Sequence, residues 1–158
     1  MAIEHHCSRS PDPWRPGSWE PGRFGVWDSI AITSLLVLVA LVRGWDYLTP
    51  AYIHSPGLSV VEQAFPLYVW GFAFALPAIG LAASVLARIH AGVWLGHWLL
   101  AIAYVALAVG LAAEYTTRPW FDGIRSSTAM VLPAAIHLAV AIRTGWRPPR
   151  WSRTTSPD

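Results

Sequence analysis

The chain has 158 residues, of which 54% are hydrophobic and 13% charged, with a formal net charge of +2. Charged residues supply about a quarter of an ordinary soluble domain, so this composition excludes one and points to an all-α, polytopic membrane protein with polar ends. Every basic residue is Arg, and the arginines never form the dense runs of a nucleic-acid binder.

Cys7 is the only cysteine, which removes any intramolecular disulfide, CxxC pair or cysteine-based zinc site. Residues 1–25 carry four prolines with His5, His6, Arg9, Arg15 and Arg23, and read as a poorly ordered tail. That polar stretch is too long for a cleavable signal peptide, so the apolar run behind it is expected to stay as an anchor.

The first predicted span covers 26–43, with an apolar core from Ile30 to Val42 between Asp28 and Arg43. Asp28 or Ser29 is placed to cap its first turn. Trp27 and Trp45 stand ~27 Å apart along a helix, so both indoles fall at interfaces. The connection from Gly44 to Pro66 contains Ser59-Val60-Val61-Glu62, the form of a capping box, and predicts a short interfacial helix over 58–65.

The second and third spans, 67–87 and 91–113, are separated only by Arg88-Ile89-His90 and must pack as an antiparallel hairpin. Leu67 to Ala87 holds no charge, and its helix of ~31 Å crosses a hydrocarbon core of ~30 Å. Pro77 predicts a kink in the second span. Gly92 and Gly96 form a GxxxG whose small face continues through Ala103, Ala106 and Gly110. Such a face serves either the hairpin itself or a homo-oligomer seam, because lipid supplies no hydrophobic drive between helices. After a connection with an Asp122-Gly123 turn, the fourth span covers 126–146 with a kink at Pro133, and 147–158 is a basic tail.

Four spans make a transmembrane four-helix bundle with both termini on one side. That side holds eight arginines against three on the other, so the termini are expected in the cytoplasm.

His97 and His137 fall within spans, at similar depths on the third and fourth helices. Facing histidines there suit a polar contact across the helix interface, a proton-linked role or axial haem ligation. Most of the ten tryptophans, including Trp70, Trp94 and Trp98, sit where an aromatic belt would. There is no phosphate-binding glycine loop, catalytic triad or HExxH, so neither an enzyme nor a resident metal or cofactor is expected, and no small-molecule substrate is identified.

Three runs carry a family likeness: Leu58-Ser-Val-Val-Glu-Gln-Ala-Phe-Pro-Leu-Tyr-Val-Trp-Gly71, His90-Ala-Gly-Val-Trp-Leu-Gly-His97 and Arg118-Pro-Trp-Phe-Asp-Gly-Ile-Arg125. They resemble the small four-span membrane proteins of bacteriophages of actinobacteria, some of which are assigned to lysis as holins or holin-like proteins. The resemblance implies residence in the host cytoplasmic membrane and a holin-like oligomer. Other roles open at this point are an accessory membrane protein for superinfection exclusion or virion assembly, and a small b-type haem protein.

Overall fold

A computed structural model of the chain describes residues 14–19, 26–49, 62, 64–117 and 125–145, apart from the side chains of 26, 114–117 and 125–128. Four long helices are present: α1 Val26–Leu48, α2 Leu67–Leu86, α3 His90–Thr117 and α4 Arg125–Gly145. Three of them hold stretches long and apolar enough to cross a membrane, Trp27–Leu48, Leu67–Leu86 and His90–Ala113, and α4 holds a shorter apolar stretch, Ala129–Gly145. Among the described residues the fold is all-helical, and three of its helices could span a membrane. Most of the connection read as an interfacial helix over 58–65, the 118–124 connection, the C-terminal tail from 146, and 1–13 and 20–25 of the N-terminal tail lie outside the described residues.

Two boundaries differ from the sequence expectation. The first helix does not stop at Arg43 but runs on to Leu48. A charge does not end a helix; a loss of backbone partners does. Thr49 supplies the stop, directing both its N–H (3.0 Å) and its hydroxyl (2.8 Å) at the Trp45 carbonyl, with Pro50 next in sequence. At the other end the helix starts at Val26, so Asp28 lies inside the first turn rather than at the cap. A carboxylate there still favours the positive end of the helix dipole. Similarly, α3 continues to Thr117, past the expected limit at Ala113. Pro77 and Pro133 both stand inside helices that continue through them.

The α2–α3 turn is closed on itself by backbone bonds. Arg88 N–H donates to Val85 O at 3.1 Å and Ile89 N–H to Ser84 O at 2.8 Å, the paired bonds of a Schellman motif. The residue between them, Arg88, takes φ 54°, a left-handed conformation usually left to glycine. Residues 14–19, part of the tail read as poorly ordered, form a turn docked on this connection. Gly17 N–H reaches Ala87 O at 3.3 Å, Trp19 N–H reaches Arg88 O at 2.8 Å, and the Ser18 hydroxyl accepts the His90 N–H at 3.1 Å. Ser18 thus satisfies an orphan donor of α3 from a distant part of the chain, while the Trp19 side chain is buried in the core.

The helices pack as consecutive antiparallel pairs, α1 on α2, α2 on α3 and α3 on α4. Half of the span in α3 is buried against 28% in α1 and α2, which makes α3 the central helix. Its approach to α2 runs through the GxxxG. A Cβ at Gly96 would lie 2.8 Å from Leu81 Cβ and 3.2 Å from Leu81 Cα, and one at Gly92 would collide with the Ser84 hydroxyl. A second close crossing joins α1 to α2, where Gly44 and Gly71 meet: a Cβ at Gly44 would lie 3.0 Å from the Gly71 carbonyl oxygen.

Replacing Gly96 with Val therefore forces α2 and α3 apart. Reversible unfolding in detergent micelles should show a loss of about 1–3 kcal/mol, the usual effect of overpacking. Gly80→Ala is the contrast, because a Cβ there meets nothing within 4 Å. It should be neutral or gain up to about 1 kcal/mol from helix propensity. Arg88→Gly removes the left-handed penalty and should raise stability by about 1 kcal/mol in the same assay.

Candidate functional site: a buried histidine pair

His97 and His137 meet in the interior, both fully buried. Their Nδ1 atoms are 2.9 Å apart, with ring centroids 5.1 Å apart and planes inclined by 51°. On α4 the buried positions Met130, Ala134, His137 and Ala141 form one stripe at spacings of four, three and four, which turns His137 towards α3. On α3, His97 lies beside Gly96, so the contact that brings α3 close to α2 sits next to the one that binds it to α4.

Two imidazole nitrogens at this distance need a proton between them. In the neutral pair one ring is the Nδ1–H tautomer and donates, and the other is the Nε2–H tautomer and accepts. The outer atoms are then one N–H donor and one lone pair, and both Nε2 atoms are buried without a partner among the described residues. The same is true of the Tyr104 hydroxyl, whose ring stacks on His137 at 5.8 Å with 19° between planes. Buried polar atoms normally find partners; among the described residues five side-chain atoms do not, three of them grouped around this contact and the other two being the Trp70 and Trp98 indole nitrogens.

The ring stack continues across the bundle. Tyr104 meets Phe74 of α2 edge-on at 4.8 Å, and Phe74 stacks on Tyr47 of α1 at 6.3 Å. The Tyr47 hydroxyl donates to the Glu62 carboxylate. Nearby, Arg43 directs Nη2 at the Met130 sulfur at 3.6 Å, joining α1 to α4.

Other expected positions resolve as follows. Gly92 and Gly96 face α2 within the same chain. Ala103 is buried, Ala106 packs partly buried against the core, and Gly110 is buried. Trp27 and Trp45 are largely exposed, at 81% and 73%, as an aromatic belt requires. Trp70 departs from the belt: it is buried and packs edge-on against Phe65. Tyr104 and Tyr47 were not singled out from the sequence, and Arg43 was read only as the end of the first span. The signal for Tyr104 was present, since it lies two helical turns from His97 and so on the same face.

Nothing among the described residues gathers three or more His, Cys, Asp or Glu side chains around a metal position. A haem held axially needs its macrocycle between the two imidazoles. The direct Nδ1 contact fills that space, so the pair as folded does not accommodate one. No protein family, characterised protein or solved structure matches the chain.

Removing one histidine leaves its partner buried with no hydrogen bond. His97→Leu or His137→Leu alone should each lose about 1–3 kcal/mol of stability, whereas the double replacement should recover much of the sum. A double-mutant cycle on unfolding free energies reads this coupling directly.

Proposed function

We propose that this chain is a four-span integral membrane protein in which the proton shared by His97 and His137 latches α3 to α4, making that helix pair responsive to acidification. The observation that carries the reading is the 2.9 Å Nδ1 contact between two fully buried rings. Ionisable side chains at this depth are rare and mark functional sites.

Proton counting defines the latch. The neutral pair holds two ring protons, one of them between the rings. A third goes to the free Nε2 of the donating ring and leaves the bond intact. A fourth places Nδ1–H against Nδ1–H, so the bond is lost and two like charges face each other. The latch is thus closed at higher pH and opens on acidification.

The excess of arginines on the terminal side supports a cytoplasmic location for both ends. The antiparallel seating of α4 along α3 supports counting α4 as the fourth span. The likeness to phage proteins favours the cytoplasmic membrane of a bacterial host, with the bilayer itself as the first partner. A holin-like oligomer would need a surface other than Gly92 and Gly96, which α2 already covers.

The test uses nitroxide labels at Leu95 of α3 and Ile142 of α4, both exposed, in a Cys7→Ser background. The interhelical distance should stay constant near neutral pH and lengthen on acidification. In the His97→Leu/His137→Leu chain it should not respond. A distance independent of pH, or an equal response in the double variant, would overturn the latch.

A further inference from the structure

We infer that protons reach the His97–His137 pair from one side only: from the face carrying the α1–α2 connection, by way of Glu62, Tyr47, Arg43 and Tyr104. The inference rests on the latch reading, since it concerns access to that same pair.

The two directions along the bundle differ in chemistry. Towards the α2–α3 turn the pair is backed by Leu81, Val93 and Ala141, none more than 1% exposed. Val93 and Ala141 each lie one helical turn from a histidine on its own face, and Leu81 fills the notch at Gly96. This plug offers a proton neither a hydroxyl nor a carboxylate.

In the other direction polar groups follow one another. Tyr104 stacks on His137 and keeps a buried hydroxyl without a partner among the described residues. Arg43 reaches across from α1 to Met130, at the same level of the bundle, and lies one helical turn from Tyr47 on the same face of α1. Tyr47 donates to Glu62, a half-buried carboxylate on the connection. Phe74 interrupts the line of rings, so the inferred route passes beside it, on the side of Arg43. Among the described residues α1 and α4 share no extensive contact, and the Arg43 side chain bridges them at Met130. A buried hydroxyl lacking a protein partner is where an internal water is held.

The charged and titratable groups bearing on the path are Arg43, Asp46 and Tyr47 from α1, Glu62 from the connection and Tyr104 from α3. From α2 the packed side chains are Phe74 and Leu81, which do not titrate. On α4, besides His137, Arg143 is exposed near the turn end. Glu62 and Asp46 suit the mouth of such a path because carboxylates collect protons from solution, and Arg43 behind them repels metal cations.

The experiment follows the shared Nδ1 proton of the full-length protein in lipid nanodiscs, by nitrogen-15 histidine spectra after transfer to heavy water at fixed pH. Tyr104→Phe, Tyr47→Phe and Glu62→Gln should each slow exchange by about tenfold or more, while Thr33→Val, which removes a buried hydroxyl beside Ala82 and Val85 towards the turn, should leave it unchanged. The Glu62 and Tyr47 variants lie far from the pair and keep the test decisive if Tyr104→Phe fails to fold. Exchange unaltered in all three path variants, or slowed only by Thr33→Val, would overturn the route while leaving the latch. Absence of a shared-proton signal in the wild-type chain would overturn the latch and the route with it.

Discussion

Close approach of α3 to two neighbours at once is the constraint on which the rest of the fold depends. Between helices in lipid there is no hydrophobic drive, so attraction comes from packing and from the few polar contacts that reach across. α3 meets α2 through Gly92 and Gly96, where a single added methyl would collide with Ser84 or Leu81. One residue beyond Gly96, His97 turns to α4 and meets His137. The two contacts lie side by side, so a shift of α3 that relieved one would strain the other. The backbone-closed turn at Arg88 and the docked segment around Trp19 fix the same end of the hairpin from outside.

Against that packing, the polar interior is unevenly distributed. Towards the turn the histidines are backed by Leu81, Val93 and Ala141, with the Thr33 hydroxyl buried farther along α1, whereas the opposite half holds Tyr104, Arg43, Tyr47 and Glu62. In water such groups would be unremarkable. Within a bilayer each polar atom lacking a partner costs free energy, so their grouping on one side of the pair gives the bundle a direction. A neutral hydrogen-bonded pair is also a sparing way to hold two imidazoles in this setting, because one bond pairs both Nδ1 atoms without placing a charge in the interior.

The helices were legible in the sequence because span length and apolarity are local properties. Leu67 to Leu86 emerged within one residue of its expected end. The α1 boundary was misjudged because Arg43 looked like a terminus. Its side chain instead finds Met130, 87 positions away in sequence, and such a partner leaves no local trace. The Gly44–Gly71 crossing was missed for the same reason: each glycine is isolated in its own segment and gains meaning only when the helices are laid together. The docked turn at 14–19 went unseen because its partners are backbone carbonyls of a remote turn, which no side-chain pattern announces.

By itself, the sequence determined that this is a helical membrane protein, where its hairpin turns, and that two histidines sit at similar depth. These follow from hydropathy, chain length and the rise of a helix. Only the tertiary structure decided that the GxxxG is used inside the chain, that His97 faces His137 rather than lipid, and that Tyr104 joins them. Rotation of a helix about its own axis settles all three. That angle is set by the fit of neighbouring side chains, which one strand of sequence does not contain.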